Sequence, residues 1–117
     1  MVYLSSGFLQ AMNTLAVQIV RNVDGSFPGW VECEFIDADG RRHIFKEKVP
    51  VVTAAPVDNA STFPVPGGIG CEVLARYRDE TGKEVARITT ERPRAIESTE
   101  RQTELIVPSS LLTSNRE

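Results

Sequence analysis

Residues Trp30 to Val49, WVECEFIDADGRRHIFKEKV, constrain this chain more than any other stretch. Val31, Cys33 and Phe35 alternate with Glu32, Glu34 and Ile36, the period of two expected of a strand with one buried face. Asp37-Ala38-Asp39-Gly40 then breaks the alternation. Asp suits the first position of a type I turn, and Gly accepts the left-handed conformation that follows. A three-residue loop with a glycine bulge makes Asp37 and Arg41 the closing pair. Phe35 then falls opposite His43 and Cys33 opposite Phe45 on one face, with Glu32 opposite Lys46 on the other. A slip of one residue sets Phe35 against Arg42 and mixes the faces, so the first register is preferred.

A shift of 42 residues lays Gly40 on Gly82, Asp37 on Asp79, and Val31, Cys33 and Phe35 on Val73, Ala75 and Tyr77. The second hairpin, IGCEVLARYRDETGKEVARIT, then sets Tyr77 opposite Val85 and Arg78 opposite Glu84. A duplicated binding unit is one explanation. The other is the general likeness of half-buried hairpins, and it is preferred because only turn and polarity match.

The full sequence of 117 residues fits one domain, expected over residues 1–112 with a frayed tail over 113–117. Its 41% hydrophobic and 25% charged content is that of an ordinary globular chain, and its net charge of −3 argues against a dedicated nucleic-acid binder. Cys33 and Cys71 both fall on inward strand positions, where buried thiols in a reducing compartment are preferred over a single disulfide between them. One histidine and no CxxC pair leave no metal-ligand set. The apolar N-terminus lacks a basic leader and is interrupted by Gln10, Asn13 and Gln18, so neither a signal nor a membrane span is expected. The expected location is cytoplasmic.

Along the chain, short elements are expected over Met1–Leu4 (strand) and Ser6–Met12 (helix). A clearer strand runs from Thr14 to Val20 on the alternation of Leu15, Val17 and Ile19. Asn22 to Gly29 is turn material, and Val49 to Ala55 continues the hairpin's second arm or bends away from it. Pro56 to Gly70, PVDNASTFPVPGGIG, is the long irregular connection, because three prolines and three glycines exclude a central strand or a helix. Its Gly67-Gly68-Ile69-Gly70 lacks the Lys-Ser/Thr and following helix of a phosphate loop. Two short strands, Ala95–Glu97 and Thr103–Val107, and a helical turn around Pro108–Leu112 complete the pattern. Six or seven short antiparallel strands on two long hairpins, with at most one or two helical turns, indicate an all-β barrel or sandwich.

His43 is the only histidine, and a base there needs an acid or nucleophile beside it; Asp37 and Asp39 are near but belong to the turn. A partly buried strand aromatic is the plainer reading. No nucleophile elbow or HExxH spacing occurs. Arg41, Arg42, Lys46, Lys48, Arg76, Arg78, Lys83 and Arg87 concentrate on the hairpins, but Glu32, Glu34, Glu72 and Glu84 dilute them, while Phe35, Phe45 and Tyr77 are expected to face inward. The candidate interaction surface is therefore Phe27 and Trp30 around Pro28-Gly29, with Phe63, Pro64 and Pro66 in the long connection.

PGWVECEF, DADGRRHIFKEKVPVV and IGCEVL together resemble a family of small bacterial proteins without assigned activity, over residues Pro28 to Thr90. The resemblance implies a bacterial cytoplasmic origin and transfers no residue role. The expected function is non-catalytic, through contacts with another protein, as an accessory or inhibitory module, with a homodimer through a strand edge as one form of contact. A small-ligand-binding barrel ranks second, an OB-like nucleic-acid binder third and an enzyme last. No cofactor is expected.

Overall fold

Both hairpin turns close as their Asp-x-x-Gly sequences dictate. The computed structural model describes residues 12–26, 28–58 and 60–114. In the first turn Asp37 N–H donates to Arg41 O at 2.9 Å, and in the second Asp79 N–H donates to Lys83 O at 2.9 Å. Gly40 and Gly82 sit at φ 84° and 85°. The aspartates act alike: Asp37 Oδ1 accepts from the N–H groups of Asp39 and Arg41, and Asp79 Oδ1 from those of Thr81 and Lys83.

These turns join β2 (Trp30–Ile36) to β3 (Arg42–Lys48) and β4 (Val65–Arg78) to β5 (Glu84–Thr89). The first pair has the expected register, with Phe35 opposite His43 and Cys33 opposite Phe45. The second sets Tyr77 opposite Val85 and Arg78 opposite Glu84, but a bulge between Val73 and Ala75 breaks the likeness of the arms. Tyr77 does not face inward as expected. The bulge shifts the alternation by one, so Tyr77 shares the face of Val85 and Arg87, opposite to the core face of Ala86 and Ile88, and is 43% exposed.

β1 (Met12–Asp24) is the strand the others assemble on. It pairs with β4 through Met12–Ile19, with β2 through Gln18–Asp24, and with β7 (Leu112–Ser114) through Asn13–Leu15. Register shifts between Ile19 and Arg21 and between Asn22 and Asp24 bend it. With β6 (Glu104–Pro108), the order is β3-β2-β1-β4-β5-β6 with β7 on β1, in one antiparallel sheet curled into a half-barrel. The fold is all-β, as expected, and the choice between barrel and sandwich falls to a single curled sheet. Its two ends meet: Ala38 N–H donates to Ile106 O at 3.0 Å and Thr99 N–H to Ile44 O at 2.8 Å. Leu15, Ile19, Val31, Cys33, Phe45, Ile69, Cys71, Ile88 and Val107 fill the concave side. Both cysteines are free thiols.

Four expectations are corrected. First, the long connection ends at Val65, and Val65–Gly70 is strand, paired to β1. Proline is tolerated because β5 joins β4 only from Glu72 onward, so Pro66 has a neighbour on one side alone. The glycines are required by crowding: a Cβ on Gly68 would lie 2.4 Å from Thr14 Cγ2, and one on Gly67 3.0 Å from Val52 O. Second, Ala95–Glu97 is not strand. Ala95 takes φ 53°, and Ile96 bonds back to Thr90 through both its N–H and its carbonyl, leaving no ladder to join. Third, Thr113 and Ser114 are not tail but strand β7, reached through a 3-10 turn at Ser109–Leu111. Fourth, Met12 opens β1 instead of ending a helix. Val49–Ala55 bends away from β3 through α1 (Val49–Val52), started by Pro50. The expected Met1–Leu4 strand, the rest of the Ser6–Met12 helix, Phe27 and the last residues of the tail lie outside the described residues. No described helix is long and apolar enough to cross a membrane.

The glycines separate strain from crowding. A Cβ on Gly40 or Gly82 meets nothing within 4 Å, so Ala there should cost about 1 kcal/mol through positive φ alone. Gly68→Ala should cost more, on the order of 1–3 kcal/mol, through overpacking against Thr14. Urea denaturation of the three variants checks this ordering.

Candidate functional site

The ladder between β1 and β2 ends at the Gln18–Glu34 pair. Continued one step of the alternation, it would set Ala16 opposite Ile36. On the same side of β1, β7 has already ended at Leu15–Leu112. Two residues of β1, Ala16 and Val17, therefore lie between two diverging neighbours. A cleft of about 470 Å³ opens there, floored by Ala16 and Val17 and flanked by Phe35, Ile36 and Ala38 on one side and Pro108 and Leu111 on the other.

Antiparallel alternation fixes the groups that face this cleft. Asp37 N–H bonds to Arg41 O inside the hairpin, so Ile36 directs its N–H and C=O away from β3, toward the cleft. Ile44 shows the same parity from the other strand: its carbonyl points outward, to Thr99. Ile36 is 49% exposed and Phe35 is buried, so the split presents both strand faces to one space. The volume is that of ordinary small-ligand pockets, which span roughly 300–1,000 Å³.

Charge around the cleft is largely committed. Glu34 pairs with Arg42 at 3.3 Å. Asp37 Oδ2 lies 2.7 Å from His43 Nε2, with the two side chains 10% and 4% exposed. His43 stacks on Phe35 at 5.3 Å between ring centroids. Sequence reasoning placed His43 near Asp37, and the structure brings them into contact. The carboxylate accepts, so the proton sits on Nε2. Burial raises the Asp37 pKa, but the hydrogen bonds from His43, Arg41 and Asp39 outweigh it, and the carboxyl is held below its ordinary value. With Oδ1 holding the turn and Oδ2 holding His43, this pair fastens the hairpin tip that walls the cleft. Among the described residues no cluster of three or more metal-ligating side chains occurs.

The residues nominated from sequence lie elsewhere. Trp30 opens β2, 37% exposed, with Lys48 Nζ 5.6 Å from its ring centroid. Phe63 packs against the core, while Pro64 and Pro66 are exposed on the approach to and start of β4. Phe27 is outside the described residues. The two nominated segments do share one depression of about 430 Å³, lined by Pro28 on one side and Pro56, Val57 and Asp58 on the other, but none of the nominated side chains among the described residues lines it. The β1–β2–β7 cleft went unnoticed in the sequence because it depends on where two long-range ladders stop. The one local signal was the break at Asp37, which limits how far β2 can run.

The Asp37–His43 contact makes a pH prediction. A carboxyl whose pKa is depressed by folding contributes stability above its unfolded value, about 3.9, and loses it as pH falls through the folded value. Asp37→Asn should therefore cost about 1–3 kcal/mol at pH 7. That difference should shrink below about pH 4 as the wild-type carboxylate is protonated. Chemical denaturation of both proteins between pH 7 and pH 2.5 checks it.

Comparison with known proteins gives this geometry no precedent to lean on: no family model, curated sequence or solved structure matches the chain.

Proposed function

We propose that this is a non-catalytic binding module that takes a short extended segment of a partner protein into the cleft between β2 and β7, as an added stretch of strand over β1. One observation carries the reading: the ladder stops at Gln18–Glu34 while β2 runs on to Ile36, whose backbone groups point into an apolar space. A peptide backbone satisfies such groups, and side chains on alternate residues supply selectivity. The outer edges of β3 and β6 offer less, because Thr99 meets β3 and Ala38 meets β6 through backbone bonds. A nucleic-acid role fits poorly with the arginines, since Arg21, Arg42, Arg78, Arg87 and Arg92 each pair with a glutamate.

A second reading has its own support. The cleft's apolar walls with Gln18, Lys83 and Ser110 at the rim also suit a small amphipathic molecule.

Selection of peptides from a random display library, followed by N-methylation of alternate peptide bonds, separates the two. Strand addition predicts that methylation in one of the two alternating patterns weakens binding about tenfold or more. Ile36→Asp, at an exposed position, should weaken binding while leaving the melting temperature nearly unchanged. Selected peptides indifferent to both changes would remove the proposal.

A further inference from the structure

Three charged side chains line the cleft: Glu34, Asp37 and Lys83. The two carboxylates are engaged, Glu34 by Arg42 and Asp37 by His43 and two backbone N–H groups. Lys83 is different. It projects from the tip of the second hairpin, and among the described residues its ammonium makes no ion pair. Its neighbour Glu84 is held by Arg78 at 2.9 Å. Asp79 is engaged by the Thr81 hydroxyl and by the backbone N–H groups of Thr81 and Lys83, and its carboxylate also feels the Lys83 charge without forming an ion pair with it. Lys83 also borders a second depression with Glu84, Ser109 and Ser110, where the carboxylate is taken by Arg78, so cation and hydroxyls stand together at the end of the cleft beside Pro108. Of the three charged side chains lining the cleft, the one outside any ion pair is positive.

We infer that the segment received by the cleft carries an acidic side chain at the end that meets Lys83, next to apolar residues lying over Val17, Phe35 and Leu111. This rests on the strand-addition reading above and adds the chemistry of the partner. An ammonium at a rim gains little from water-exposed pairing, so its contribution is selectivity of a few-fold, while the backbone and apolar contacts hold the segment.

The test uses three blocked hexapeptides, X-Val-Thr-Val-Thr-X, with X as Glu, Gln or Lys, so that either strand direction presents the same charge. Each is titrated into the protein while the amide resonances of Ala16, Gln18, Ile36 and Lys83 are followed. The Glu peptide should bind about threefold to fivefold more tightly than the Gln peptide, and the Lys peptide more weakly than both. Lys83→Glu should reverse the order, Lys83→Gln should abolish the preference, and Lys83→Arg should retain it. Equal affinities, or an order that survives Lys83→Glu, would overturn the acidic-segment inference and leave strand addition standing. Silence of these amides toward all three peptides at millimolar concentration would overturn both. So would octanoate shifting them where the peptides do not, which would indicate a small ligand. Shifts that grow with protein concentration and no peptide would place a second copy in the cleft and overturn both as well.

Discussion

A strand has two edges, and β1 serves three neighbours with them. Its thirteen residues pair β4 along one edge and divide the other between β7 and β2. Backbone groups withdrawn from water need partners, so this division decides the architecture. Where β2 holds β1, register shifts bend the strand and start the curl of the sheet. Where β7 holds it, the chain that has left β6 is brought back to the beginning of the fold. Between the two holders β1 is uncovered, and the cleft is the geometric remainder.

What could be read from the sequence was local. The Asp-to-Gly turn chemistry sets the register next to both turns, as far as the Val73–Ala75 bulge in the second hairpin, because every determinant lies within a few residues of the turn. The failures share one cause. Pro66, Gly67 and Gly68 look like loop residues to any local rule, yet they form strand because β1 lies alongside and Thr14 leaves no room for a larger residue. Thr113 and Ser114 carry no signal of their own and become strand by finding an edge. Tyr77 is exposed because the bulge between Val73 and Ala75 turns the alternation over, and a bulge set by long-range pairing leaves no mark in a count of every second residue. Phe27, Trp30, Phe63, Pro64 and Pro66 stand out in the sequence because they are aromatic or lie in irregular stretches. The cleft is lined by residues that look like ordinary strand positions, and its place follows from the end points of two ladders.

The Asp37–His43 contact shows how a rigid wall is built from polar parts. A buried imidazole without a partner would destabilise the hairpin, and a turn aspartate without one would be an ordinary surface residue. Together they satisfy each other, and the ring stacks on Phe35, which lines the cleft. The second hairpin repeats the turn but has Val85 where the first has His43, so its Asp79 stays at the surface with Thr81. Similar turns thus end in differently anchored tips, one walling the cleft and the other presenting Lys83.

The two thiols, placed on strands flanking β1 from opposite sides, give the molecule a pair of internal clocks. Burial, together with Glu47 and Glu32, pushes the Cys33 thiol up to about 12, and burial pushes Cys71 up to about 11. Only a thiolate attacks an alkylating reagent, so neither sulfur reacts at neutral pH while its strand stays in place. Each reaction rate then counts how often that part of the sheet opens: Cys33 times the separation of β2, and Cys71 times that of β4. If the two rates coincide, the half-barrel opens as one body. If Cys33 runs faster, the β2–β3 hairpin swings on its own, and the cleft it walls breathes with it.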